Sequence, residues 1–277
     1  MPNTTSHKKY RKALSTSCRE NGTLIHREHD DKGVIEVIDD TLLRSMYFGT
    51  NSRQSCMLHV NPNFLTLLYT QAMMISLLFI DKPKSILMIG LGGGSLAKFL
   101  LSHYPECTID AIEYREKVAK VAHGYFKLPE TPRLNIHIAD AENKIKEIEK
   151  NKYDLILLDA FDKSSVSPSI AKPDFITACK DRLNSNGVFV INLWSKSKDF
   201  KRTFQTISET FSGNALRYLV KKKSNVIVFA SKQNLSTSYL KQLHTKAQEL
   251  QGRLEITLSE FLARLIHQNS FLFKLLH

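Results

Sequence analysis

The 277-residue chain is 42% hydrophobic and 24% charged, an ordinary globular composition that excludes a disordered or fibrous protein. Its formal charge of +12 would suit an acidic partner, but the basic residues are spread along the chain. The densest basic runs, His7 to Arg11 and Lys221 to Lys223, lack the pattern of interleaved aromatics that a nucleic-acid platform uses.

Cys18, Cys56, Cys107 and Cys179 form no Cys-x-x-Cys pair, so reduced thiols in a cytoplasmic protein are expected, with neither a disulfide frame nor a zinc site. Residues 1–22 are polar and basic without an apolar centre, unlike a signal peptide. From Thr23 to Val60 short alternating runs are separated by turn signals at Asp30 to Gly33, Asp39-Asp40 and Gly49 to Ser52. This predicts a small antiparallel β-unit over 23–61. Pro62 is then expected to open a helix running to Ile80, with Asn61 as its cap. Thr66, Tyr69, Thr70 and Gln71 interrupt its apolar pattern, so the helix reads as buried rather than membrane-spanning.

Ser85 to Ser95 organises the rest of the chain. Ile86 to Ile89 form an apolar run fit for a strand covered on both faces, and Gly90, Gly92, Gly93 and Gly94 follow at once. Helical spacing resumes at Leu96. Strand, glycine turn and helix start make a nucleotide-type site, where bare backbone admits a ligand and free N–H groups point at it. Strands are predicted near 85–89, 108–112, 134–138, 154–158 and 187–193, with helices near 95–103, 115–126, 141–150, 172–183 and 198–211. Alternation of this kind means βαβ units and a parallel sheet. Ala215 to Val220 and Asn225 to Ser231 then form two strands too closely linked to be parallel. A parallel sheet closed by an antiparallel hairpin is the α/β Rossmann-like arrangement of S-adenosylmethionine-dependent methyltransferases. The expected nucleoside-binding catalytic domain is 62–232, and C-terminal helices are expected over 233–277, at Leu235 to Gln251 and Thr257 to Leu276.

Ligands of such sheets bind at the carboxyl ends of the strands. Glu113 ends the second strand, where a carboxylate can accept hydrogen bonds from both hydroxyls of a ribose. Asp140 follows the third, where it can receive an adenine amino group, and Asp159 and Asp162 follow the fourth. Each alone could be a helix cap or a solvated strand end. Acidic groups ending successive strands of one sheet argue for a site. The ten histidines form no metal spacing, so no metal is expected.

These pieces together resemble the spermidine synthase (polyamine aminopropyltransferase) family, in a divergent branch. The likeness rests on Ile89 to Gly94, Glu113, Asp140-Ala141 and the Asp-x-x-Asp of Asp159 to Asp162, with Gln54 and Tyr69 matching more weakly. It implies an aminopropyl group passed from decarboxylated S-adenosylmethionine to a small-molecule amine such as putrescine. By similarity the glycines Gly90, Gly92 and Gly94, with Gln54, Glu113, Asp140 and Ala141, would bind that co-substrate. Asp159 would be the general base, and Tyr69 and Asp162 would hold the amine. The resemblance also implies a homodimer.

The sequence departs from that family at Gly93, where an Asp is usual, at Thr70-Gln71, where an acidic residue is usual, and near Arg217 to Asn225, where a Pro-Thr/Ser-Tyr segment is missing. A loop of bare N–H groups would suit the carboxylate of intact S-adenosylmethionine at least as well. Methyl transfer to a protein, nucleic-acid or small-molecule acceptor is therefore the second reading, and a nucleoside-binding homologue without catalysis the third.

Overall fold

The alternating pattern of residues 23–58 forms four strands paired in sequence order, all antiparallel. They are β1 (Thr23–Asp30), β2 (Gly33–Asp39), β3 (Leu43–Tyr47) and β4 (Arg53–Leu58). The structure is a computed structural model that describes residues 22–80, 82–160, 172–221 and 224–275. One face of the small sheet buries Ile35, Val37, Met46 and Met57 against Val118, Val121 and Phe126 of the main domain. The period of two along β2 to β4 puts Ile38, Leu43, Tyr47, Cys56 and Leu58 on the other face.

The helix expected from Pro62 begins six residues later. Asn61 bridges Leu58, and helix α1 spans Leu68–Met73 before a tighter 3-10 turn at Met74–Leu78. Tertiary partners hold the intervening backbone out of helix. The Thr66 hydroxyl donates to the Cys56 carbonyl at 2.7 Å, and the buried Gln71 amide donates to the Leu65 carbonyl at 2.6 Å.

The main sheet has seven strands in the order β10-β11-β9-β8-β5-β6-β7. They are β5 (Ser85–Ile89), β6 (Thr108–Glu113), β7 (Leu134–Ile138), β8 (Tyr153–Leu158), β9 (Leu183–Trp194), β10 (Ala215–Leu219) and β11 (Asn225–Ser231). Strands β5 to β9 are mutually parallel. β11 runs against them, and because it inserts between β9 and β10, β10 again points with the parallel set. The central strand is wholly apolar because both faces are covered: Ile86 and Met88 enter one core, Leu87 and Ile89 the other.

The crossover helices are α2 (Ser95–His103), α3 (Glu116–Phe126), α4 (Ala141–Glu147), α5 (Pro173–Arg182) and α6 (Phe200–Thr210). The expected C-terminal helix over Leu235 to Gln251 is broken at Leu243, giving α7 (Thr237–Gln242) and α8 (His244–Leu254), followed by α9 (Leu258–Leu275). α9 guards the sheet edge. Asn269 accepts from the Arg217 N–H at 3.0 Å and donates to its carbonyl at 2.9 Å, while Gln268 does the same at Leu219, at 2.8 and 3.3 Å. Two side-chain amides thus replace the neighbour strand that β10 lacks. Lys221 is exposed, and Lys222 and Lys223 lie outside the described residues. Among the described residues no helix is long and apolar enough to cross a membrane.

Candidate active site

The carboxyl ends of β5, β6 and β8 meet β4 and the start of α1 around a cavity of about 380 Å³. Gln54, Tyr69, Gly90, Gly92, Glu113, Asp140, Ala141 and Asp159 all line it. Two expected site residues do not belong to that group. Gly94 lies behind the cavity wall as the N-cap of α2, with a left-handed φ of +70°, and a Cβ there would stand 2.5 Å from Leu128 Cδ1. Asp162 lies outside the described residues.

The glycine loop is closed onto its own protein, which corrects the expectation of a row of bare N–H groups. Gly90 donates to the Ile112 carbonyl at 2.9 Å, Leu91 to Glu113 Oε2 at 3.0 Å, Gly93 to Ser55 Oγ at 2.7 Å and Gly94 to the Leu91 carbonyl at 3.0 Å. Of the five residues 90–94, Gly92 keeps an N–H without an acceptor among the described residues. The turn is tight enough that its amides fold back onto β6 and β4 before a ligand could use them. Gly90 has to be glycine for two reasons: its φ is +91°, and a Cβ would collide with the Asp159 carbonyl.

Glu113 is only 8% exposed. Its Oε2 accepts from Leu91 N and its Oε1 from Arg115 N, each at 3.0 Å. The carboxylate is thereby fixed, and each oxygen keeps lone-pair capacity for a further donor. Asp140 caps α4, its Oδ1 accepting from the Asn143 N–H at 3.2 Å. Its Oδ2 has no protein partner among the described residues, so capping and ligand binding are compatible there.

Asp159 follows β8, and its N–H donates to the Ile89 carbonyl at 2.9 Å. Its Oδ1 accepts from the Asn192 amide at 2.9 Å, and the Tyr69 phenol hydrogen-bonds to the same carboxylate. Burial pushes the carboxyl pKa up, and the Asn192 and Tyr69 hydrogen bonds offset only part of that, so the net direction is upward. Burial likewise holds the Tyr69 phenol well above its ordinary value, with the neighbouring Asp159 charge adding to the effect. A cavity-facing carboxylate whose charge is penalised in this way holds a proton more readily than an ordinary one.

Several residues in or behind the cavity wall were not legible from the motifs. Ser55 reaches the loop from β4, and Arg115 pairs with both Asp30 oxygens at 2.9 Å while its guanidinium sits 4.5 Å from the centre of the Phe48 ring. Lys32, in the β1–β2 turn, lies 4.8 Å from the centre of the Tyr114 ring. The small sheet therefore forms one wall of the site. Asn192 had a signal available, as the lone polar residue in the apolar run Val188 to Leu193. At the family's acidic position, Thr70 lines the cavity with its hydroxyl donating to the Leu67 carbonyl, whereas Gln71 is buried away from it. Among the described residues no three His, Cys, Asp or Glu side chains gather as a metal site.

Residues 66–242 match the family model for the Spermine/spermidine synthase domain. The chain is 35% identical over 236 residues to a polyamine aminopropyltransferase of Chromobacterium violaceum, covering 85% of this chain and 90% of that protein. The fold is similar to a probable spermidine synthase from Corynebacterium glutamicum, with a TM-score of 0.71 at 19% identity over 81% of this chain and 87% of the other. It is also similar to human methyltransferase-like protein 13 in complex with SAH, with a TM-score of 0.57 at 27% identity over 68% of this chain and 90% of the other. On the matched domain and the extent of the first likeness, the chain belongs to the spermine/spermidine synthase family.

Proposed function

We propose that the chain is a polyamine aminopropyltransferase that takes decarboxylated S-adenosylmethionine and a small amine such as putrescine. The observation that carries the reading is Asp159, a cavity carboxylate whose pKa burial raises, braced by Tyr69 and Asn192. An alkyl ammonium has a pKa near ~10 and must lose a proton before its nitrogen can attack carbon. Asp159 attracts that cation and accepts its proton. When bound, the sulfonium co-substrate supplies an electrophilic carbon whose bond to sulfur breaks as the amine attacks.

The residues present fit this co-substrate. Glu113 is fixed by two backbone N–H groups with capacity left for a ribose diol, and Asp140 Oδ2, without a partner among the described residues, can take an adenine amino group. The cavity of about 380 Å³ falls within the range of small-molecule sites. The loop supports the decarboxylated form over the intact one. Four of its five N–H groups are already used, which leaves a poor cradle for an α-carboxylate. Ala141 and Gln54 complete the co-substrate set, while Tyr69 and, by resemblance, Asp162 hold the amine. Assembly as a homodimer in the cytoplasm goes with the same reading.

A second reading, methyl transfer from intact S-adenosylmethionine, is favoured by the likeness to methyltransferase-like protein 13 in complex with SAH. Calorimetric binding of the intact and decarboxylated forms, followed by an assay for methylthioadenosine release, separates the two. Tighter binding of the decarboxylated form with putrescine-dependent release is expected. Preference for the intact form would overturn the proposal.

A further inference from the structure

Two side-chain amides, one buried and one half-buried, stand behind Asp159. Asn192, only 1% exposed, donates from Nδ2 to Asp159 Oδ1 at 2.9 Å, and its own Oδ1 accepts from Asn225 Nδ2 at 3.0 Å. The sheet sets this up: β11 pairs with β9 in a register that places Asn225 opposite Trp194, two residues beyond Asn192. Flanking Ile191 and Leu193 are buried in the apolar core on the opposite face from Asn192. A leucine at 192 would pack where the amide sits, so a buried amide there is costly unless its polar ends are used.

We propose that Asn225 and Asn192 act as a two-amide relay that orients the Asp159 carboxylate and stabilises its ionised form. The proposal rests on the aminopropyltransferase reading for its catalytic meaning. Both asparagines are positioning residues, since neither lines the cavity. The direction of the relay is fixed chemically. A carboxylate can only accept, so Asn192 must present its NH2 to Asp159, and its carbonyl then needs a donor, which Asn225 supplies. Rotating the Asn192 amide by half a turn would set carbonyl against carboxylate and NH2 against NH2. Asn225 therefore holds Asn192 in the one orientation that helps the base.

The groups facing Asp159 among the described residues are the Tyr69 phenol from α1, the Asn192 amide from β9 and the bare backbone of Gly90 just after β5. Burial drives the carboxyl pKa up, and Asn192 is the larger of the two hydrogen-bonding influences that restrain it. Removing Asn192 strips a donor that favours the charged form, so the carboxyl should titrate at higher pH.

The test is a carbon-13 carboxyl titration of the full-length protein labelled at aspartate. The Asp159 resonance is identified by its absence in Asp159→Asn. In Asn192→Leu its midpoint is expected to move to higher pH, and in Asn225→Ala to move the same way by less. A second readout is the split in kinetics with putrescine: kcat falls about tenfold at neutral pH while KM for the amine stays within about twofold. An unchanged Asp159 titration in Asn192→Leu overturns the relay. Should Asn192→Leu fail to fold, the same measurement on Asn225→Ala decides, and an unchanged midpoint there overturns it. If the wild type transfers no aminopropyl group, the functional reading fails, and the titrations still judge the relay.

Discussion

Ser55 Oγ accepts the Gly93 N–H at 2.7 Å, and Ser55 also fills the space that a side chain on Gly93 would need. A Cβ on Gly93 would stand 2.9 Å from Ser55 Cβ and 3.0 Å from the Phe126 ring. The Asp usual at this position in the family is therefore excluded by the small sheet pressing Ser55 onto the loop and by the end of α3 behind it. Gly93→Ala is expected to destabilise the protein by about 1–3 kcal/mol through overpacking. Thermal denaturation should show a Tm lower by roughly 2–10 °C. Adding Ser55→Gly should cost less than the sum of the two single changes, because the neighbours share one clash. A Gly93→Ala variant as stable as wild type would contradict this packing.

Asp159→Asn should cut turnover with putrescine by roughly 10²- to 10⁴-fold, as loss of a general base does. Binding of methylthioadenosine should change little. The same group predicts two pH effects. Because the base must be ionised, activity should fall as pH drops through the raised carboxyl pKa, at higher pH than an ordinary carboxylate would give. For stability the sign is reversed. A folded-state pKa raised above the unfolded value means that the native state binds the extra proton, so this carboxyl costs stability as pH rises through its titration range. Asp159→Asn should be the more stable protein at neutral pH, with the gap closing in acid. Urea denaturation at several pH values measures it, and a gap that widens in acid would refute the argument.

Lys98 on α2 is 2% exposed and donates to the Phe126 carbonyl at 2.5 Å, holding the end of α3 against the glycine loop. Arg44 and His123 serve neighbouring carbonyls, at Tyr125 and Leu128, so three basic side chains gather at this helix terminus. Burial lowers the Lys98 pKa from 10.5 to about 8, with the charge of Lys127 assisting. The drop from 10.5 to about 8 corresponds to ~3 kcal/mol, present as a cost below pH 8 and removed as pH rises to 10.5. Lys98→Met lacks this titration. The stability of wild type relative to Lys98→Met should therefore rise between pH 7.5 and about 9.5, and a flat difference in urea midpoints would count against it.

Asn269 is buried and joins α9 to both main-chain groups of Arg217 at the sheet edge. Asn269→Leu should leave those groups unsatisfied at a cost of about 1–3 kcal/mol. Hydrogen exchange should accelerate at the Arg217 amide while amides of central β5 keep their protection. Equal protection of Arg217 in the variant would show that the amide clamp does not secure the edge.

The sequence by itself determined the elements whose signals are local. The apolar run Ile86 to Ile89, the glycines and the helical spacing after Leu96 dictate strand, turn and helix, because a residue buried on both faces and a positive φ leave few alternatives. Successive carboxylates at strand ends marked Glu113, Asp140 and Asp159 because the parallel sheet brings those ends together. Tertiary structure decided the rest. Where α1 starts depends on Thr66 and Gln71 bonding to carbonyls of Cys56 and Leu65. Strand β11 lies inside the sheet because its main chain pairs with β9, which no hairpin signal specifies. Whether the loop amides were open to a ligand turned on Ser55 and Glu113, 38 and 22 residues away in the chain. Asn192 reached Asp159 only through the neighbouring strand, across 33 residues. Periodicity records which face a residue occupies, whereas hydrogen-bond partners separated by tens of residues are chosen by the packing of the whole sheet.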